Sequence, residues 1–342
     1  MAIARDTPPM EAKLAEAIPD GEGWQFEPKW DGFRCLAFRD GGAVELMSKS
    51  GKPLGRYFPE IVAALLALEA TRFVLDGELV LPVGRILSFA DLQLRLHPAA
   101  SRIEKLSRET PAQLLVFDAL QIGARAVADK PLAARREALE AFMAKAAGPR
   151  LLLSPRSTER SAAERWFAQT GGALDGIVAK RLDQPYQPGE RAMIKVKRHR
   201  TADCVLGGYR LSGETVGSLL LGLYDAAGKL DYVGFTSSFD AAKRAALLKK
   251  LAPLHGEPAF TGNSPGGPSR WSRGKSTEWV ALRPELVAEV TYDQVTGQRF
   301  RHGTTFVRWR PDKAPRQCRM DQLAPELSPA VLAESVGAAH SA

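Results

Sequence analysis

The spacing of apolar residues changes near position 200, and this change constrains the fold more than any other feature of the chain. Before that point, short strand patterns alternate with helical patterns, in which apolar residues recur three and four positions apart. The strand patterns lie at 33–39, 43–48, 73–81, 114–120, 175–180 and 193–197, and the helical patterns at 58–68, 132–147 and 161–169. We therefore expect a mixed fold of strands and helices up to about position 200.

The second part of the chain has five strand patterns, and a single helical pattern at 240–254 lies between the third and the fourth. This order is typical of a small Greek-key barrel of the OB type, although other short barrels fit it nearly as well. A length of 342 residues agrees with two domains. We predict an α+β protein with a first domain over 1–199, an OB-fold β-barrel domain over 200–323 and a tail over 324–342 that we expect to be partly disordered.

Three cysteines, at positions 35, 204 and 318, exclude several classes of protein. No two of them have CxxC spacing, so a disulfide framework and a four-thiolate zinc site are both excluded. The N-terminal residues contain no apolar segment of signal-peptide length, and no apolar run approaches the roughly 20 residues that a membrane helix requires. We expect a soluble cytoplasmic protein with no membrane partner.

The basic residues are concentrated in two short windows. The chain has 47 Lys and Arg residues against 39 Asp and Glu, a net charge of +8. Residues 180–200 contain seven basic and two acidic residues, and residues 299–319 contain seven basic and one acidic residue. Charge concentrated in this way favours two polyanion-binding sites over the alternative of two solvated basic faces. Within the second window, Arg299, Arg301 and His302 fit a DNA contact and a solvated surface equally well.

The run EPKWDGFR at 27–34 contains a candidate nucleophile. Pro28 disfavours a helix at Glu27, so we expect Lys29 in a loop that leads into the strand beginning near position 33. A lysine amine is a nucleophile when it is deprotonated, and neighbouring cations lower its pKa because they disfavour the ammonium form. A lysine considered alone is more often a solvated surface residue.

Six further short motifs follow this run in order. They are SKSG at 48–51, LDGE at 75–78, VFD at 116–118, DGIVAK at 175–180, IKVK at 194–197 and RWRPDK at 308–313. The seven motifs together resemble nucleotidyltransferase motifs I, Ia, III, IIIa, IV, V and VI of the ATP-dependent DNA ligases. The resemblance covers about residues 8–322, and the runs FEPKWDGFR and RWRPDKAP are most similar to the small bacterial ligases of the C type.

This resemblance implies a role for each matching residue. Lys29 would attack the α-phosphorus of ATP and carry AMP on its amine. Lys195 and Lys197, two apart on a strand, would both contact the α-phosphate and lower the pKa of Lys29. The implied catalytic residues are thus Lys29, Lys195 and Lys197. The implied nucleotide-binding residues are Glu27, Lys29, Arg34, Lys49, Glu78, Phe117, Lys180, Lys195, Lys197, Arg310 and Lys313, with Arg34 at the ribose and Phe117 stacked on the adenine.

The resemblance also implies a divalent metal ion, Mg²⁺ or Mn²⁺, held by Glu78 and Asp175, since hard cations prefer oxygen ligands. The family commonly has Glu where this chain has Asp175. The shorter side chain leaves both direct metal coordination and a water-bridged role open. No zinc module of the larger NAD-dependent ligases fits a chain with three cysteines. We also expect no additional N-terminal DNA-binding domain before the first motif, since only 28 residues precede Lys29.

The activity implied by the resemblance is ATP-dependent sealing of nicks in double-stranded DNA, as a nucleotidyltransferase (adenylation) domain followed by the OB-fold domain. The barrel motif at 308–313 would close over the nucleotide and then move away by a hinge near 197–200. We expect a monomer that acts in DNA repair, with repair proteins as partners and association with the nucleoid. The alternatives are an RNA ligase, a GTP-using capping nucleotidyltransferase, and a nucleic-acid-binding protein without activity.

Overall fold

The computed structural model describes residues 2–83, 86–168, 174–197, 200–266, 278–293, 295–296, 298–301 and 303–323. These residues form two compact units, one up to residue 197 and one from residue 200 onward. The predicted tail at 324–342, residues 198 and 199 of the predicted hinge, and His302 lie outside the described residues. In the part of the chain that the structure describes, no helix has both the length and the apolar character needed to span a membrane.

Among its described residues, the first unit contains two main sheets and five α-helices. Its strands are β1 (Ala12–Ala15), β2 (Trp24–Trp30), β3 (Phe33–Asp40), β4 (Ala43–Ser48), β5 (Arg72–Val80), β6 (Pro82–Val83), β7 (Ile86–Leu87), β8 (Gln113–Ile122), β9 (Arg125–Ala126), β10 (Leu151–Leu153), β11 (Leu174–Arg181) and β12 (Met193–Val196). Its helices are α1 (Pro59–Leu66), α2 (Phe89–Leu94), α3 (Ala100–Glu109), α4 (Leu132–Ala146) and α5 (Arg160–Ala168), with a 3₁₀ turn at Gly55–Tyr57.

The two sheets divide the site-bearing strands between them. The smaller sheet has the order β1-β12-β11-β2, and the larger has the order β10-β8-β5-β3-β4 with β9 beside β8. The larger sheet is buried on both faces, as the apolar run of β3 requires. Cys35 and Ala37 pack into one core with α1 and α4, whereas Leu36 and Phe38, on the opposite face, pack against Tyr186 in a second core. Burial on both faces fixes the strands that hold the candidate site.

The predicted strands and helices of the first part are confirmed, with ends that differ by a few residues from the sequence patterns. The predicted loop around Lys29 is wrong, because Lys29 lies within β2. β2 is the edge strand of the smaller sheet, where proline is tolerated because one side of the strand has no ladder partner among the described residues. Pro28 therefore excludes a helix here without excluding a strand.

The second unit has the predicted order of elements. Its elements are β13 (Arg200–Ser212), β14 (Thr215–Tyr224), β15 (Leu230–Thr236), α6 (Ala241–Leu251), β16 (Val280–Ala281), β17 (Val287–Tyr292), β18 (Val295–Thr296), β19 (Arg299–Phe300) and β20 (Thr305–Trp309), with 3₁₀ turns at Ala252–Leu254, Pro315–Gln317 and Met320–Gln322. The helix after the third long strand is confirmed. The main sheet has the order β15-β14-β13-β17-β20, with β16 beside β13.

The edges of this sheet are joined less completely than the barrel prediction implies. An isolated bridge links Thr236, the last residue of β15, to Thr304, which directly precedes β20. β15 and β20 are the two outer strands of the sheet. Within the described residues, no ladder between these strands closes the sheet into a barrel. A single apolar core fills the unit and is built mainly from β13, β14 and β17 together with α6.

Candidate active site

A cavity of about 1000 Å³ lies in the first unit, where side chains from both sheets meet. Its wall comes from β2, β3, β5, β8, β11 and β12, and from the turn that follows β4. The residues predicted for nucleotide binding that line it are Glu27, Lys29, Arg34, Lys49, Glu78, Phe117, Lys180 and Lys195. Residues from six separate sequence motifs thus surround one cavity, which is large enough for a small-molecule ligand.

Lys29 and Lys197 share one carboxylate. The Oδ2 atom of Asp175 is 2.7 Å from Nζ of Lys29 and 2.8 Å from Nζ of Lys197. Asp175 is largely buried, with 7% of its side chain exposed, whereas each lysine side chain is 24% exposed. Two of the three predicted catalytic lysines, Lys29 and Lys197, are therefore held together by the aspartate that was predicted to bind a metal ion.

Gly176 explains how Asp175 reaches this position. Its φ of +143° lies in a region that favours glycine, and a Cβ atom there would lie 2.0 Å from the carbonyl oxygen of Val196. A larger residue would push β11 away from the end of β12. The glycine after Asp175 thus allows the close approach that places its carboxylate beside Lys197.

The predicted lowering of the Lys29 pKa by Lys195 and Lys197 is wrong for this arrangement. Burial lowers the pKa of Lys29, but the charge and hydrogen bond of Asp175, together with the charges of Glu78 and Asp31, outweigh burial and raise it. Burial also raises the pKa of Asp175, but Lys29 and Lys197 together bring it below its usual value. Lys195 is the lysine whose pKa is lowered, by burial and then by the charges of Lys29 and Lys197. Lys29 is therefore protonated at neutral pH in this structure.

Glu78 lies opposite Arg34 in the pairing of β3 with β5. Burial raises the pKa of Glu78 to about 7, although the positive charges of Lys29 and Arg34 oppose the shift. A carboxyl with this pKa exchanges its proton near neutral pH. Glu78 is thus poised to bind either a proton or a cation at the cavity wall.

Arg34 is held in place by a buried acid that the sequence analysis did not single out. Its Nε and Nη2 atoms donate to the two carboxylate oxygens of Asp76, at 2.6 and 2.5 Å. The hydroxyl of Tyr186 donates to the same carboxylate at 2.7 Å. Asp76 is fully buried, so both donors compensate a charge that would otherwise be costly to bury. Asp76 falls within the LDGE motif, but nothing in the sequence signalled Tyr186.

Two cationic groups contact the ring of Phe117 at the cavity wall. The guanidinium carbon of Arg34 is 4.7 Å from the centre of the ring, and Nζ of Lys180 is 4.6 Å from it. Lys180 also forms a buried ion pair of 2.8 Å with Glu27, whose other oxygen accepts a hydrogen bond from Gln25 at 2.7 Å. These residues form a polar and aromatic cluster next to the cavity.

Three of the predicted residues pair with acids that are not part of this cluster. Lys49 is exposed and pairs with Glu11 at 3.0 Å. Arg310 and Lys313 lie in the second unit, where both pair with Asp203. Each of these basic residues is thus held by an acid.

Glu78 and Asp175 fit a divalent cation in chemical type. Both offer carboxylate oxygens, and both carboxylates act on the ammonium of Lys29. Among the described residues, no group of three or more His, Cys, Asp or Glu side chains is placed to hold a metal ion. Mg²⁺ commonly binds one or two carboxylates and completes its coordination with water and substrate phosphates. The donor set therefore suits a metal ion that arrives with a nucleotide.

Comparison with known proteins gives consistent results for both units. Residues 7–197 match the family model described as the ATP dependent DNA ligase domain, and residues 212–313 match the ATP dependent DNA ligase C terminal region. The chain is 48% identical over 333 residues to DNA ligase C2 of Mycolicibacterium smegmatis, covering 92% of this chain and 93% of that protein.

Two further relatives are informative. The chain is 33% identical over 306 residues to the multifunctional non-homologous end joining DNA repair protein LigD of Mycobacterium tuberculosis, covering 86% of this chain and 37% of that protein. A solved structure from a study of Lig E DNA ligases aligns with a TM-score of 0.55 at 17% identity, covering 88% of this chain and 99% of that chain. This structural likeness concerns the fold alone.

Proposed function

The chain belongs to the ATP-dependent DNA ligase family, whose models match both of its units, and we propose that it seals nicks through a covalent lysyl-AMP on Lys29. The observation that carries this proposal is the contact of 2.7 Å between Lys29 and Asp175 beside the cavity. This contact places the candidate nucleophile, Lys29, beside the carboxylate that raises its pKa. The unit up to residue 197 would be the adenylation domain.

The proposed position of ATP follows from the chemistry of the cavity wall. Phe117 offers an aromatic face for the adenine, with the polar pair of Glu27 and Lys180 beside it. Arg34 is held by Asp76 next to this ring and would contact the ribose. Lys29, Lys49, Lys195 and Lys197 would then meet the negatively charged phosphates.

The first chemical step requires Lys29 to lose a proton. Asp175 raises the pKa of Lys29, so any positive charge that neutralises Asp175 lowers that pKa again. The free amine would attack the α-phosphorus of ATP, forming a P–N bond while the P–O bond to pyrophosphate breaks. Asp175 thus holds Nζ in position before the attack, at the cost of keeping it protonated.

Stabilisation of the phosphates would come from cations on both units. Lys195 and Lys197 would donate to the α-phosphate, and Arg310 and Lys313 to the leaving pyrophosphate. A Mg²⁺ or Mn²⁺ ion held by Glu78 and Asp175 would supply further neutralisation of phosphate charge. Positioned cations of this kind contribute most of the catalysis in phosphoryl transfer.

Two transfers to DNA would complete the reaction. AMP passes from Lys29 to the 5′-phosphate at the nick, and the 3′-hydroxyl of the neighbouring strand then displaces AMP. The basic windows at 180–200 and 299–319 support the binding of a polyanion such as nicked double-stranded DNA. Similarity to a relative named as a DNA repair protein supports a role in DNA repair. We further propose that the enzyme acts as a monomer with repair proteins as partners.

The test is transfer of label from α-labelled ATP to the protein, with Lys29→Ala as the variant. Lys105→Ala is a matched control, because Lys105 is an exposed lysine of α3 paired with Glu109 at 3.8 Å. We expect a covalent label on the wild type and the control, and none on Lys29→Ala. Labelled protein is then mixed with nicked DNA or nicked RNA.

The outcomes separate this proposal from its alternatives. Label from GTP rather than ATP would indicate a capping enzyme, and sealing of RNA in preference to DNA would indicate an RNA ligase. An unlabelled wild-type protein that still binds DNA would indicate a binding protein without activity. Equal labelling of Lys29→Ala and wild type would exclude Lys29 as the nucleophile.

A further inference from the structure

Asp203 lies at the centre of a charge cluster in the second unit that includes two residues of the RWRPDK motif. We propose that Asp203 is a positioning residue for the adenylation step, which holds Arg310 and Lys313 together so that both can act on the same pyrophosphate. This inference rests on the proposed role of Arg310 and Lys313 at the leaving group. Asp203 itself would touch neither ATP nor DNA.

The two cations meet on one carboxylate. Nη1 of Arg310 lies 2.9 Å from Oδ1 and 3.1 Å from Oδ2 of Asp203. Nζ of Lys313 lies 3.1 Å from the same Oδ2. Because both nitrogens lie 3.1 Å from the same Oδ2 atom, the distance between them is at most twice that value. Two positive charges so close together repel each other unless an anion lies between them.

Arg310 is fixed in orientation as well as in position. Its Nε and Nη2 atoms donate to the carboxylate of Asp312, at 3.0 and 2.8 Å, while Nη1 faces Asp203. The planar guanidinium is thus held along two edges, and such a fork preserves its direction better than a single contact does. Without Asp203, one edge of the guanidinium and the ammonium of Lys313 would lose their common partner.

Asp203 is itself rigidly attached to the fold. It lies in β13, and only 12% of its side chain is exposed. The side chain of Gln322 brackets its backbone, because Oε1 accepts from the Asp203 N–H at 2.8 Å and Nε2 donates to the Asp203 carbonyl at 3.0 Å. These two bonds use the backbone alone, so a change of the Asp203 side chain leaves them intact.

The strand pairing places Asp203 where an acid is unfavourable unless cations accompany it. Asp203 lies directly opposite Glu289 in the pairing of β13 with β17, and like charges at opposed positions destabilise a sheet. Arg310 lies between them, 2.9 Å from Asp203 and 3.8 Å from Glu289. Arg308 also pairs with Glu289, at 2.7 Å. The arginines of the motif therefore compensate the negative charges of Asp203 and Glu289.

The experiment compares two steps of the reaction in the full chain. Asp203→Asn keeps the shape of the side chain and removes its charge, and Asp321→Asn makes the same change at an exposed aspartate paired with Arg319 at 3.0 Å. One assay measures the rate of labelling by α-labelled ATP. The other measures sealing of a DNA nick that already carries AMP, in the absence of ATP, because pyrophosphate takes no part in that step.

We expect Asp203→Asn to slow labelling by about tenfold. This lies in the range found when a residue that orients a ligand-binding side chain is mutated. Sealing of the adenylated nick should stay within twofold of wild type, and Asp321→Asn should change neither rate. In an Arg310→Ala/Lys313→Ala background, Asp203→Asn should cause no further loss. Asp203→Glu keeps the charge but displaces the carboxylate by one bond, and it should also slow labelling without slowing sealing.

Several results would overturn the inference. Equal loss in both steps would assign Asp203 to the stability of the fold, and faster labelling would mean that it screens the cations. If Arg310→Ala/Lys313→Ala is slow but both Asp203 variants label normally, the positioning role fails and the proposed role of the cations stands. If Arg310→Ala/Lys313→Ala itself labels normally, that proposed role fails, and the role of Asp203 fails with it.

Discussion

Two charge clusters, one in each unit, have the same plan and differ in what their aspartate controls. In the first unit, Asp175 binds two cations through Oδ2, Lys29 at 2.7 Å and Lys197 at 2.8 Å. In the second unit, Asp203 also binds two cations, Arg310 at 2.9 Å and Lys313 at 3.1 Å. In both clusters, a largely buried carboxylate holds together two positive charges that would otherwise repel each other.

The difference lies in the proposed nucleophile, because Asp175 holds Lys29 and no cation held by Asp203 is proposed to react. A lysine can lose its proton and become a nucleophile, whereas an arginine remains charged in proteins. Asp175 therefore sets both the position and the protonation of Lys29, and the raised pKa of Lys29 is the result. Asp203 is proposed only to hold Arg310 and Lys313 in position, and neither of these cations is the nucleophile. The same arrangement of charges thus serves proton control in one unit and geometry in the other.

The largest effect that tests this difference should come from Lys29→Arg. The guanidinium keeps its charge and can still pair with Asp175, but it supplies no free amine. We expect labelling by α-labelled ATP to fall by more than about 10³-fold, as for the loss of a nucleophile in other enzymes. Sealing of a nick that already carries AMP should remain measurable, because that step does not need the nucleophile. Labelling of Lys29→Arg within tenfold of wild type would contradict the division between the clusters.

A smaller effect, but a more specific one, should come from Asp175→Asn. Removal of the carboxylate removes the group that raises the pKa of Lys29, so the rise of the labelling rate with pH should move to lower pH. The maximal rate should fall by about 10²-fold, because Lys29 and Lys197 lose the partner that aligns them. The measurement is the labelling rate as a function of pH.

Asp203→Asn is the matched control for that pH profile. It should lower the labelling rate without moving the pH at which the rate rises, since neither Arg310 nor Lys313 is the nucleophile that must lose its proton. An equal shift for both variants would mean that the two aspartates act alike. An unshifted profile for Asp175→Asn would mean that Asp175 does not set the proton affinity of Lys29.

The sequence allowed prediction of Lys29, Asp175 and Lys197 in the first cluster and of Arg310 and Lys313 in the second, but not of their pairing. Short motifs identify Lys29, Asp175 and Lys197 one at a time, because each lies in a run that resembles a known motif. Which acid pairs with which base depends on contacts between strands, such as the close approach at Gly176. For this reason the direction of the Lys29 pKa shift was predicted wrongly.

Asp203 shows a further limit of the sequence analysis. It lies outside every motif. Its contact with Arg310 depends on the pairing of β13 with β17 and on the position of Arg310 in the folded chain. The order of strands along the second part of the chain was predictable because alternating apolar residues mark each strand in the local sequence. Lys29 was misplaced in a loop because an edge strand accepts proline, and edge position is a property of the assembled sheet.

The smallest predicted effect concerns stability and again separates the clusters. Burial raises the pKa of Glu78, beside Lys29, from an ordinary 4.5 to about 7. Between these values the folded chain binds this proton more tightly than the unfolded chain does, so stability falls as pH rises. Above pH 7 the ionised Glu78 costs at most about 3 kcal/mol, and Glu78→Gln removes that cost. The melting temperature of Glu78→Gln should match wild type near pH 4.5 and exceed it by several degrees above pH 7.

In the second cluster the corresponding change should have no such effect. The hydrogen bond from Arg310 lowers the pKa of Asp312 to about 2, so this acid is already charged throughout the range in which Glu78 titrates. Asp312→Asn should therefore give no stabilisation that grows between pH 4.5 and 7. Melting temperatures of both variants across that range are the measurement. A constant difference for Glu78→Gln would mean that Glu78 does not titrate in this range. A growing difference for Asp312→Asn would mean that proton control is not confined to the first unit.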